Sequence, residues 1–75
     1  MVIMKKQRSL VQLFAQNLKK YRLKSKLTQQ ELAERAGIEY KYIQRLEGKK
    51  APAIRIDTLG RLAAVLKIRA YQLLQ

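Results

Sequence analysis

The tetrad Thr28-Gln29-Gln30-Glu31 constrains this chain more than any other stretch of it. It spells a capping box, in which the Thr28 hydroxyl accepts from the backbone N–H of Glu31 while the Glu31 side chain accepts from the N–H of Thr28. A helix must start there. Leu32, Ala33 and Ala36 fall on its inner face, and Gly37 ends it, because glycine takes the left-handed conformation at little steric penalty. Residues 39–47 hold a further short helix with Ile43 and Leu46 inward, and Gly48 is expected to end that one.

The rest of the chain is punctuated just as sparsely, by Pro52 and Gly60, and almost no run alternates like a strand. An all-α fold follows. Leu10, Leu13, Phe14, Leu18 and Tyr21 recur at intervals of three and four, which predicts a first helix from Ser9 to near Lys24 with one apolar stripe. Residues 49–53 read as a loop. Ile56, Leu59, Leu62, Ala63 and Leu66 mark the inner side of a fourth amphipathic helix, and residues 70–74 a very short fifth. No internal repeat or domain linker is visible, so residues 9–75 read as one domain behind an N-terminal extension, residues 1–8.

Charge narrows the partners. Seventeen Lys and Arg against five Asp and Glu leave a formal charge of +12, and self-repulsion on that scale points to a polyanion, nucleic acid before an anionic membrane. Hydrophobic residues at 48% supply enough apolar surface for folding, which a disordered basic tail lacks. With neither cysteine nor histidine, there is no disulfide framework, the usual zinc ligands are missing and so is the commonest general base. No metal, no cofactor and no catalysis are expected. The apolar residues 1–4 precede rather than follow their lysines, the reverse of an export signal, and no apolar run approaches the ~18 residues of a membrane span. The chain reads as cytoplasmic.

Two short helices joined through a glycine, with a small residue four positions before it, form a helix-turn-helix signature. Ala33 lies where the pair packs closest, Gly37 lets the chain reverse, and Ile38, Ile43 and Leu46 hold the pair to the body. The plainer alternative is a helical hairpin in an ordinary five-helix bundle. The runs Leu27-Thr28-Gln29-Gln30-Glu31-Leu32-Ala33, Ala36-Gly37-Ile38, Tyr42-Ile43 and Leu46-Glu47, with Asp57-Thr58-Leu59 and Leu62-Ala63 further on, resemble the Xre family of helix-turn-helix regulators. That family includes lambdoid phage repressors, Cro-like proteins and controller proteins of restriction–modification systems. The resemblance spans about residues 14–74 and implies a compact five-helix, lambda-repressor-like domain, usually a homodimer on a palindromic operator.

Helical angle, at about 100° per residue, selects the side chains that would meet DNA. With Ile43 and Leu46 fixing the buried direction, Lys41 points away from the core, Gln44 and Arg45 flank it, and Tyr40 lies at the edge. These four are the candidate base readers. Lys and Arg donate to guanine O6 and N7, and Gln pairs with adenine N6 and N7. The resemblance implies a phosphate contact for Tyr42 and for Gln29, which matches the family's backbone-clamping glutamine at a helix end that favours anions. Lys49, Lys50 and Arg55, in the loop beyond, could close on the other side; they would position, not specify.

The resemblance also implies a largely buried salt bridge between Arg22 and Glu47, the latter about 40° from Ile43 on the helical wheel; the alternative is two surface charges. Three caps depart from the family pattern. Glu39, Arg55 and Arg69 stand where hydroxyl N-caps are usual, and arginine at a helix start both caps poorly and opposes the dipole. Arg55 is expected to serve DNA rather than stability; Glu39 suits the dipole and could read cytosine N4 or reject wrong sites. Ile68, Tyr71 and Leu74, with residues 1–4, are candidate dimer surface, or else core closure and frayed terminus.

The leading expectation is a sequence-specific transcriptional regulator acting on double-stranded DNA, with no catalytic activity and no effector domain. A second is an antitoxin-type module that binds a toxin and represses its own operon. A third, a basic amphipathic membrane binder using Lys19, Lys20, Arg22, Lys24 and Lys26, accounts for neither the capping box nor the glycine spacing.

Overall fold

The computed structural model describes residues 3–75, with side chains from residue 10 onward. It contains four α-helices, α1 (Ile3–Lys24), α2 (Gln29–Ala36), α3 (Tyr40–Leu46) and α4 (Ile56–Leu66), followed by a 3₁₀ helix at Ala70–Leu74. No strand occurs among the described residues. The short fifth element is thus not an α-helix: its five residues are a length at which i→i+3 bonding competes well with i→i+4. α1 begins ahead of the expected Ser9, so residues 3–8 continue the first helix instead of preceding it. The suggested role of residues 1–4 in dimer contact lies outside the described residues and side chains.

The core draws on every helix. Phe14 and Leu18 of α1, Leu32 of α2, Ile43 and Leu46 of α3, Leu62 of α4 and Leu73 of the 3₁₀ helix are fully buried, each contributing about 1.5–3 kcal/mol by removal from water. Ala33 is 2% exposed, and its small side chain sits within the same cluster. Asn17, buried on α1, donates from Nδ2 to the Leu73 carbonyl at 3.0 Å and so pins the 3₁₀ helix to the first helix. Two residues assigned to apolar inner faces lie outside: Leu10 is 42% and Ile56 85% exposed. Each is the first member of its apolar series, and both line an open groove instead of the packed core.

Helix ends follow local chemistry. The Thr28 hydroxyl accepts from Glu31 N–H at 3.0 Å, and the Glu31 carboxylate accepts from Thr28 N–H at 2.8 Å. The Thr28 backbone N–H foremost, and then the Thr28 hydroxyl, hold the Glu31 carboxyl below its ordinary pKa. Gly37 closes α2 in the left-handed region at φ 69°, and Ile38 N–H reaches back to the Ala33 carbonyl at 2.9 Å. Lys26 and Lys67 close α1 and α4 with the same geometry, at φ 60° and 59°. Sequence inspection missed both, since lysine lacks glycine's freedom there. α3 ends differently: Glu47 stays right-handed, and Gly37 is the described glycine with positive φ. Gly48 is therefore not a left-handed terminator.

Arg55 and Arg69 make no side-chain cap bond. At α4 the neighbouring Asp57 takes over, its Oδ1 accepting from Thr58 N–H at 2.9 Å. At the 3₁₀ helix Gln72 Oε1 accepts from Arg69 N–H at 2.8 Å. Compensation arrives from within the first turn.

Candidate nucleic-acid interface

α2 and α3 pack against each other across the Gly37-Ile38-Glu39 turn, with Glu39 extended at φ −69°, ψ 140° as the N-cap of α3. Ile43 and Leu46 have no exposed surface, and this fixes the rotation of the helix. Its outer side therefore carries Tyr40, Lys41, Gln44 and Arg45, all exposed. Tyr42 lies at the flank, half-buried and packed on the core. α3 thus presents two cations and an amide from a rigid base, the arrangement that base edges in a wide groove can read.

A buried ionic knot braces α3 from behind. Arg22 donates to Glu47 twice, Nε to Oε2 at 2.7 Å and Nη2 to Oε1 at 3.0 Å, and the two side chains are only 9% and 3% exposed. The third nitrogen, Nη1, donates to the Leu27 carbonyl at 2.8 Å. Gln29 Nε2 also donates to Glu47 Oε1, at 3.0 Å. The first residue of α2, the last turn of α3 and α1 are therefore held by one carboxylate. Among the described residues no buried side-chain polar atom lacks a partner.

Around the outer side of α3 the surface is cationic. Lys49 and Lys50 are exposed in the turn after α3. Arg55 is also exposed but faces Asp57, Nε to Oδ1 at 3.2 Å, a weak solvent-screened pair that DNA phosphate could displace. Of the acidic residues, Glu31 is taken up in the α2 cap and Glu47 in the knot. Glu34 on α2 and Glu39, the N-cap of α3, remain exposed outside those contacts. On α1, Lys20 and Lys24 lie over the Tyr21 ring, with Nζ 5.3 and 5.8 Å from its centroid. No group of His, Cys, Asp or Glu that could hold a metal occurs among the described residues, and no described helix is long and apolar enough to cross a membrane.

Of the candidate dimer residues, Tyr71 is 60% exposed, whereas Ile68 and Leu74 are partly buried against the core. Leu74 also lines an apolar groove with Leu10, Ile54 and Ile56. Assigning Leu10 and Ile56 to the core had hidden that groove.

A helix-turn-helix family model matches residues 18–73. The chain belongs to the Xre-like helix-turn-helix family. Among solved structures it is similar to the hypothetical transcription factor NHTF from Neisseria, with a TM-score of 0.83 and 32% sequence identity. That match covers 92% of this chain and 75% of the other. No curated protein matches.

Proposed function

We propose that this protein is a sequence-specific, double-stranded DNA-binding transcriptional regulator, with α2 and α3 as its helix-turn-helix and α3 as the helix that enters the major groove. The observation that carries the reading is the sidedness of α3: Ile43 and Leu46 are 0% exposed while Lys41, Gln44 and Arg45 face solvent on a surface dominated by cations. Family membership and likeness to a protein titled a transcription factor support it. Tyr40, Lys41, Gln44 and Arg45 read bases; Gln29, Tyr42, Lys49, Lys50 and Arg55 hold phosphates. The domain needs no catalytic group, metal or cofactor for this work.

The regulator acts as a homodimer on a palindromic operator. Exposed Tyr71 and the apolar groove at Leu74, Leu10, Ile54 and Ile56 support self-association, since apolar surface of this kind marks contact sites. Selection of bound duplexes from a random pool tests the whole reading. The expected product is a palindrome with half-sites about 34 Å apart, one helical turn. Recovery of unrelated sequences with equal affinity would overturn it.

A further inference from the structure

A second groove lies apart from the outer side of α3, between α1 and the turn that follows α3. Gln12, Gln16 and Lys19 form one wall, Gly48 and Lys49 the other, and Glu47 lies at the junction. Gln12, Gln16 and Lys19 are four and three residues apart, so they share one side of α1. All three are exposed. A smaller hollow lined by Val11, Gln12, Lys49 and Ala51 adjoins it and shares Gln12 and Lys49.

The electrostatics of this groove are one-sided. Lys19 and Lys49 bring positive charge from opposite walls, and neither is paired with a carboxylate among the described residues. Glu47, the acid in the lining, is 3% exposed and already neutralised by Arg22. Both its oxygens accept hydrogen bonds from within the chain. What remains for a ligand is two ammonium groups and two amides, donors suited to phosphate oxygens.

We infer that α1 supplies a second phosphate-binding edge: Lys19, with Gln12 and Gln16, faces Lys49 across a groove that takes the backbone of the duplex engaged by α3. Lys49 links the two surfaces, since it lies three residues past the end of α3 and also lines the groove. A strand held at Lys49 is thus carried on toward α1. This rests on the reading of α3 as the groove-entering helix. The edge adds grip without sequence preference, because every base pair presents the same phosphates.

The test uses the full chain and its selected operator beside a scrambled duplex. Lys19→Ala, and Lys19→Ala combined with Gln12→Ala and Gln16→Ala, are titrated between about 50 and 200 mM salt, with phosphate ethylation interference on both strands. Lys19→Ala is expected to weaken both duplexes alike, by about five- to tenfold near 100 mM salt, and to lower the salt slope by about 0.9 for each phosphate released. Interference should vanish at the matching phosphates, while Lys19→Arg restores binding and the melting temperature stays put. Unchanged slope and footprint in Lys19→Ala overturn the inference and leave α3 untouched if operator preference persists. A wild-type protein that binds without preference, yet loses slope in Lys19→Ala, refutes the α3 reading and with it the shared duplex, although Lys19 still meets phosphate. Absence of duplex binding refutes both.

Discussion

Arg22 of α1 and Glu47 at the end of α3 meet at 2.7 Å, both side chains almost wholly buried. Twenty-five residues apart in sequence, they form a two-pronged contact that also fastens the Leu27 carbonyl and the Gln29 amide. Breaking such a pair leaves a buried charge without its partner, which is far more harmful than never having had the pair. Arg22→Ala or Glu47→Ala should each lose about 3–5 kcal/mol. Urea denaturation checks this, and the double variant should fall well short of the sum, since the two residues act as a unit.

Gly60 is the opposite case. It lies inside α4, and a Cβ built on it meets nothing within 4 Å. Gly60→Ala should therefore stabilise the domain by about 0.8–1 kcal/mol through helix propensity alone, raising Tm by about 4–8 °C in a domain of this size. Thermal melts followed by circular dichroism decide it.

Lys67 holds a left-handed φ of 59° at the end of α4, and Gly37 a φ of 69° at the end of α2. The strain of a side chain in that region is about 1 kcal/mol. Lys67→Gly should gain about that amount and Gly37→Ala lose it, measured as paired shifts in denaturation midpoint.

Glu31 carries a pH signature. Its carboxylate accepts the Thr28 N–H and receives further help from the Thr28 hydroxyl, which together lower its pKa. Because the folded value lies below the unfolded one, this stabilisation is complete above the ordinary carboxylate range and disappears as pH falls through the folded value. Glu31→Gln keeps an acceptor but no charge, so its acid limb of stability against pH should be flatter than that of the wild type. Melting temperatures across the acid range test the point.

On DNA, Lys41→Ala, Gln44→Ala and Arg45→Ala should each relax discrimination at one operator position by about 1–3 kcal/mol. Lys50→Ala should instead weaken all duplexes alike. Competition titrations with single-base operator variants separate the two behaviours. Arg55→Ser should stabilise the fold, by supplying a hydroxyl cap, while weakening binding.

Much of this architecture could be read from the letters, and the reasons are local. The α2–Gly37–α3 unit announces itself through a capping box and a glycine, both of which act within a few residues. The exposure of Lys41, Gln44 and Arg45 followed from Ile43 and Leu46, because a helix has one angular repeat. What Lys41 and its neighbours touch is a separate matter, settled by titration and not by angle. Leu10 and Ile56 were misplaced since periodicity shows a stripe but not where its covering neighbour stops. The start of α1 was missed because no glycine, proline or cap marks it. Asn17 and Leu73 are 56 residues apart, and no local rule brings them together. The lost caps at Arg55 and Arg69 were visible, but their replacement by Asp57 and Gln72 depends on side-chain reach.

The shared carboxylate of Glu47 has an evolutionary corollary. Any substitution at Gln29 also disturbs the clasp between α1 and α3, so with Gln29 on a phosphate, as proposed, changes there are punished twice. Residues on the far side of α3 carry no such double duty. On the proposed reading, new operators should accordingly be acquired by drift at Tyr40, Lys41, Gln44 and Arg45, while the clasp behind them stays frozen.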